Sequence, residues 1–325
     1  SPTKSEGNVA RHLYHEAGGE HRPAHSGRPF PETAFEDHHP QWSRDETEIY
    51  FLSDRARPGY PSWTSRQWGL FAVAPDGSNL RCIIPRISKT PRFSPSGEQM
   101  AWTSGGVHVR GVSGDEERVI ECPIRNNSFT EVAWLDETTV ATIIRPPIGA
   151  GSLVALDLSA EDPEPRTIAQ GEEFCSLMMD HDSGMLYVGI YPPKWKIVRL
   201  DPDAAGAELE VVAEELWEGR GMRLLGDERM LLYDTRSTEM GGSRYLLDLT
   251  TGESEEHRMS VTNNDRQREG APDVREDGLM VFSALQRDFD ERVKPSARLI
   301  FTANRDGSDV QRVTPWEETV VPMAE

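Results

Sequence analysis

The chain repeats one short unit. A first copy reads Pro40-Gln41-Trp42-Ser43-Arg44-Asp45, followed by Ile49-Tyr50-Phe51-Leu52 and Ser53-Asp54-Arg55. A second reads Pro91-Arg92-Phe93-Ser94-Pro95-Ser96-Gly97, then Met100-Ala101-Trp102-Thr103. A third, near the end, reads Pro272-Asp273-Val274-Arg275-Glu276-Asp277-Gly278, then Leu279-Met280-Val281-Phe282-Ser283. A unit this small cannot bury its own apolar residues, so copies must stack. Aligning the residue after the Pro-x pair gives Trp42, Phe93, Trp134, Met178, Leu225 and Val274, at steps of 51, 41, 44, 47 and 49 residues. That spacing is the length of a four-stranded propeller blade.

Each unit keeps one internal order. A short first strand meets a turn, such as 94–97 or 276–278. A second strand follows, at 49–53, 100–104, 140–144, 186–190, 230–234 and 279–283. After a loop of variable length comes a third, at 70–74, 107–112, 153–158, 197–201, 245–249 and 298–303. Two turns to the fourth strand nearly match, Asp76-Gly77-Ser78-Asn79 and Asp306-Gly307-Ser308-Asp309, and Asp-Gly supplies the positive φ of a tight hairpin. Helical periodicity is almost absent; only 209–217 reads as a helical turn or two, or equally as strand and loop. The expected fold is all-β, a six-bladed β-propeller of four-stranded antiparallel blades. Its blades fall near 39–86, 87–122, 127–170, 172–213, 219–258 and 268–315 of a propeller at 39–318. A His-rich segment, 1–38, precedes it, and a tail, 319–325, follows.

Composition excludes several classes. With 55 acidic residues against 35 Lys and Arg, the net charge is −20, which repels nucleic acid and anionic membranes at long range. No run approaches the ~20 apolar residues of a membrane-spanning helix. No export signal opens the chain, so the expected compartment is the cytoplasm, or the periplasm or exterior if a leader has been removed. Cys82, Cys122 and Cys175 lack metal spacing and read as free thiols.

The Pro-x-Trp-Ser-x-Asp opening, the strand ending in Ser53-Asp54-Arg55 and the Asp-Gly-Ser-Asn hairpin resemble the WD40-like repeats of TolB-type β-propellers, over about residues 38–315. The resemblance is strong in units one, two and six and degenerate in the others. It implies the propeller fold. It does not carry TolB's envelope role, because TolB has an N-terminal α/β domain where this chain has residues 1–38. Similar repeats occur in oligogalacturonate lyases and in the propellers of prolyl-oligopeptidase-type peptidases. The peptidase nucleophile motif Gly-x-Ser-x-Gly is missing here. The lyase resemblance implies a metal held by histidines and a glutamine near the channel mouth, and His38, His39 and Gln41 offer that composition.

In a blade the first strand lines the channel, and the residues leading into it emerge on the same face as the loop between strands two and three. His38, His39, Lys89, Thr90, Glu173, Arg220 and Glu269 therefore gather round one mouth. The longest loops on that face, 54–67 and 285–296, belong to units one and six, which ring closure makes neighbours; function usually lives in such loops. They carry Arg55, Trp63 and Arg66, and Arg287, while shorter loops add Arg145, Tyr191, Trp195 and Arg236. Arginine forks bind carboxylate or phosphate, and aromatic rings stack on ligands. The face reads as a seat for a small anionic molecule or acidic peptide. Against this, the Asp54-Arg55 pair also reads as a brace between blades, and nearby acids offer local neutralisation.

Six of the nine histidines lie between 12 and 39. Imidazoles are common metal ligands and general bases. His38, His39, Gln41, His12 and His15 form a candidate set for one divalent metal if the leader folds over the mouth. The alternative is a draped leader with solvated histidines, which the Gly-, Pro- and Ser-rich stretch 18–34 suits. Gln41, two residues beyond His39, is expected to share its side of the strand. Two functional readings result. One is a stand-alone propeller that binds an anion without chemistry. The other is a propeller enzyme of lyase, isomerase or cyclase type, with His39 or His38 as base, alone or through a metal, and arginines such as Arg55, Arg236 and Arg287 as anion clamps.

Overall fold

The computed structural model divides the chain into two units, Ser1–Glu32 and Thr33–Glu325. It describes residues 36–55, 68–114, 116–124, 127–191, 195–204, 206–216, 219–224, 229–234, 244–256, 272–285, 298–305 and 307–315. All of these belong to the second unit.

They form six four-stranded sheets, every pairing antiparallel and every sheet made from four strands consecutive in sequence. The first holds β1 (Asp37–Trp42), β2 (Ile49–Ser53), β3 (Trp68–Val73) and β4 (Arg81–Ile87). The second holds β5 (Arg92–Phe93), β6 (Gln99–Ser104), β7 (Gly106–Gly111) and β8 (Arg118–Ile120). The third holds β9 (Ser128–Trp134), β10 (Thr139–Arg145), β11 (Gly151–Asp157) and β12 (Arg166–Glu172). The fourth holds β13 (Phe174–Asp180), β14 (Met185–Ile190), β15 (Trp195–Leu200) and β16 (Glu210–Leu216). The fifth holds β17 (Gly219–Leu224), β18 (Arg229–Asp234), β19 (Arg244–Asp248) and β20 (Ser254–Glu256). The sixth holds β21 (Asp273–Val274), β22 (Leu279–Leu285), β23 (Arg298–Asn304) and β24 (Gln311–Arg312), and is minimal at both edges. Within the ambiguous stretch 209–217, Glu210–Leu216 form the outer strand β16.

The burial pattern shows why the sheets stack as blades. In β2 every residue is buried, and β3 is buried from Gly69 to Val73. A strand apolar on both faces needs cover on both faces. Outer strands such as β12 are mostly exposed. One cluster joins Tyr50, Leu52, Leu70 and Ile84 of the first blade to Met100 and Trp102 of the second. Others join the second to the third through Val107 and Trp134, the third to the fourth through Ile143 and Leu177, and the fourth to the fifth through Tyr187 and Met230. The ring closes where Trp42, Phe51 and Phe71 pack on Val281, Ile300 and Val313 of the sixth blade.

This last seam contains no exchanged strand among the described residues. Side chains, turns and one isolated parallel bridge between Glu36 and Arg298 close it instead. The Trp42 amide donates to Asp273 Oδ2 (2.8 Å), the Glu276 amide to Glu46 Oε1 (3.0 Å), and Arg275 pairs with Glu46 (3.4 Å) while lying 5.0 Å over the Trp42 ring. The matched turns behave alike: Gly77 and Gly307 share a φ of 83°, and Asn79 and Asp309 take 58° and 53°. Gly77 is required twice over, since a Cβ there would stand 2.6 Å from the Val313 carbonyl oxygen across the seam.

Candidate functional site

The first strands of neighbouring blades approach one another, β1 and β21, β5 and β9, β9 and β13, β13 and β17, so the first strand of each sheet is the inner one and lines the channel. Pairing with the second strand fixes a common register. Trp42 pairs Ile49, Phe93 pairs Met100, Trp134 pairs Val140, Met179 pairs Leu186, Leu224 pairs Met230 and Val274 pairs Met280. The repeat position in the fourth and fifth blades is therefore Met179 and Leu224, one residue from the expected Met178 and Leu225. The preceding residue in each blade makes a layer: Gln41, Arg92, Ala133, Met178, Arg223 and Asp273. Four of these six are polar.

Three of the four are engaged. Gln41 Nε2 donates to the Pro91 carbonyl (2.8 Å), and Arg223 Nε pairs with Asp273 Oδ1 (3.2 Å). Among the described residues the Arg92 guanidinium makes no hydrogen bond or ion pair. It belongs to the second blade and Arg223 to the fifth, so they face each other across the ring. The repulsion of Arg223, then burial, pulls Arg92 down to about 10, so it is charged at neutral pH. Glu131 and Asp273 oppose the shift, but Glu131 also pairs with Lys89 (3.3 Å) and Asp273 with Arg223.

His39 stands above this layer. It has a φ of 50°, rare for a residue with a side chain, and lies in a bulge: His38 pairs Leu52 and Gln41 pairs Tyr50, leaving His39 and Pro40 opposite Phe51 alone. The bulge breaks the alternation that would put His39 and Gln41 on one side; Gln41 is buried against the second blade, while His39 stays exposed. Partial desolvation at the crowded channel mouth, then the electrostatic influence of His38, Arg223, Arg298 and Arg92, lower the imidazole to about 4, so it is neutral at neutral pH.

The shift has a sign. His39 titrates lower folded than unfolded, so its contribution is present above about 6.5 and is lost as pH falls towards 4. Asp54 runs the other way. Burial lifts its carboxyl to about 6, Asp37 and Glu36 add to this, and its Oδ2 has no partner. Its contribution is present below about 3.8 and is lost as pH rises through 6. Thermal melts across this range should show His39→Asn, which tolerates the left-handed backbone, gaining on wild type as pH falls from 6.5 to 4. Asp54→Asn should gain on wild type at pH 7 and lose that gain below pH 4. Parallel curves for wild type and either variant would contradict that residue's assignment.

The other expected residues divide. Arg55 is no rim clamp. Its guanidinium is 4% exposed and holds the fully buried Asp37 carboxylate by two bonds (3.0 and 2.7 Å), and it also donates to the Pro315 carbonyl (2.9 Å). It braces the first blade to the end of the sixth through Asp37 and Pro315, while the adjacent Asp54 Oδ1 accepts from the Glu36 amide. Arg145 lies at the end of β10 and donates to the Phe174 carbonyl (2.6 Å). Tyr191 and Trp195 flank the mouth as a tilted pair with centroids 5.0 Å apart, and the exposed Glu173 accepts the Tyr191 amide through its carbonyl. His38 bonds Glu36 (3.1 Å) and meets the Trp68 ring edge-on at 4.9 Å. His12, His15, Trp63, Arg66, Arg236, Glu269 and Arg287 lie outside the described residues, as does the Arg220 side chain.

The metal set does not assemble from what is described. No three His, Cys, Asp or Glu side chains among the described residues come together as metal ligands, and the Gln41 amide is engaged. The three cysteines are free; burial pushes the Cys82 thiol to about 11 and the Cys175 thiol to about 12, which makes both inert. His108 stacks on Trp102 and bonds Glu117, a structural arrangement. No helix among the described residues is long and apolar enough to cross a membrane.

These features define a β-propeller with arginines facing one another inside its channel. No protein-family model and no curated protein matches the chain. Solved structures do share its fold. A putative TolB from Agrobacterium tumefaciens is 13% identical, with a TM-score of 0.52, over 69% of this chain and 80% of that one. An oligogalacturonate lyase in complex with manganese is 12% identical, with a TM-score of 0.52, over 87% and 79%. The propeller domain of the Trilobed protease from Pyrococcus furiosus, described as having an open velcro topology, is 14% identical, with a TM-score of 0.52, over 87% and 99%. At these identities the likeness is one of fold.

Proposed function

We propose that this chain is a binding propeller that takes a small anionic ligand at the channel mouth from which its inner strands begin. One observation carries this reading: a chain of net charge −20 sets Arg92 and Arg223 at the same register position of opposite blades, below His39 at that mouth. Like charges brought together inside a protein are unfavourable unless something compensates them. The Tyr191–Trp195 pair offers a stacking surface and an optical reporter. Titration of citrate against Trp fluorescence should show saturable binding that weakens as salt is raised. Glycerol, an uncharged polyol, should give no change. Equal responses to both, or none to citrate, would overturn the proposal.

A second reading, proton abstraction by His39, is favoured by its place on a left-handed bulge beside the arginines. A base near 4 is weak at pH 7. A bound carboxylate beside Arg92 and Arg223 would raise it towards the working range. NMR titration of the His39 ring in the presence of citrate tests this. An imidazole still titrating near 4 removes the catalytic reading and leaves the binding reading intact.

A further inference from the structure

The register layer supplies something the mouth alone does not. Its two arginines come from opposite blades, the second and the fifth. Arg223 is held by Asp273, which is itself fixed by the Trp42 amide (2.8 Å). Glu131, the other acid near Arg92, is shared with Lys89, whose ammonium also donates to the Thr130 carbonyl. Among the described residues, pairing Arg223 with Asp273 and Lys89 with Glu131 leaves Arg92 with no side-chain hydrogen bond or ion pair of its own. It is anchored from behind, because its carbonyl accepts the Trp134 indole N–H (2.8 Å) and its strand neighbour Phe93 packs on Tyr50 at 4.7 Å. Arg92 is half-buried on the channel wall, so its five-donor fork is open to a ligand that supplies acceptors.

We infer that Arg92, with Arg223 opposite, forms a seat inside the channel for one carboxylate or phosphate group, below His39. The inference rests on the mouth being a binding site and adds where the charged group goes. The fork of Arg92 takes two oxygens of the anion. Arg223 faces it from across the channel while keeping its bond to Asp273. The neutral His39 ring closes the seat on the mouth side.

Calorimetric titration with inorganic phosphate and, separately, with acetate tests the seat at low ionic strength. Both are small enough to need no contact with the rim. Wild type should bind at least one of them, and the better binder identifies the group the seat prefers. Arg92→Gln should weaken that binding at least about tenfold, the loss expected for a charge-assisted hydrogen bond. Arg92→Lys keeps the charge but not the fork and should fall between, and it serves as the test variant if the glutamine form does not fold. Arg166→Gln makes the same charge change on the exposed β12, beside Pro202, and should leave the affinity within twofold. If citrate binds wild type but Arg92→Gln binds phosphate or acetate as wild type does, the seat is wrong and the mouth stands. If citrate binds and neither small anion does, the seat is likewise wrong. If citrate also fails, both proposals fall.

Discussion

Replacing Arg55 by methionine should destabilise the propeller by about 3–5 kcal/mol, the loss expected when one partner of a buried ion pair is removed. The pair is unusually enclosed, with side chains 4% and 0% exposed, and the carboxylate is held by two parallel bonds. Without the guanidinium, Asp37 is left charged and buried. The same side chain ties the start of the first blade to Pro315, at the end of the sixth, so its loss also slackens the ring. Asp37→Asn should cost a comparable amount. The double change Arg55→Met with Asp37→Leu should recover much of it, because no charge is then stranded. Urea unfolding reads the effect as a lowered midpoint with an unchanged slope. A cost below about 1 kcal/mol for Arg55→Met would place the pair in water, as exposed pairs behave.

Trp42→Ala should cost about 3–5 kcal/mol, as large-to-small changes of buried aromatics do. The ring fills the seam between the first and sixth blades and carries Arg275 on its face at 5.0 Å. Removing it leaves a cavity that Ile300 and Val313 cannot fill without moving whole strands. Trp42→Phe should cost clearly less. The indole N–H is buried without an acceptor, so phenylalanine removes an unsatisfied donor while keeping most of the ring contact. Thermal unfolding should rank the variants wild type, phenylalanine, alanine, and equal losses for the two variants would contradict the seam packing.

The blades were legible because each middle strand is an unbroken apolar run closed by a turn of fixed chemistry. Ile49-Tyr50-Phe51-Leu52 could only be covered on both faces, and the two Asp-Gly turns adopt matching backbones. The one-residue slips at Met179 and Leu224 occur where the Pro-x pair is missing and nothing local marks the register. The site was less legible. Histidine clustering pointed to His39, but the bulge that turns it arises from strand pairing, which a period of two does not contain. The repeat groups Arg55 with Asp54 as a pair that braces adjacent blades, and does not show which carboxylate the guanidinium holds. The pairing of Asp37 with Ser53 brings a different carboxylate to it. Nothing local singles out Arg92, Arg223 and Asp273, although Arg92 and Asp273 occupy the x of the Pro-x pair that opens their units. Only the ring makes that position a layer, by setting residues more than a hundred positions apart on opposite sides of one channel.

Closure of that ring is tested most directly across its seam. In a background with the native cysteines replaced, Glu46→Cys and Arg275→Cys put one thiol in each of the first and sixth blades, where the native side chains meet at 3.4 Å. A closed ring predicts rapid intramolecular coupling by a short bismaleimide, seen as a monomer carrying one linker bound at both ends, and loss of that product in urea. Native protein that takes up two separate linkers, or couples only between molecules, would show that the first and sixth blades are apart, and the opposed arginines would then share no channel.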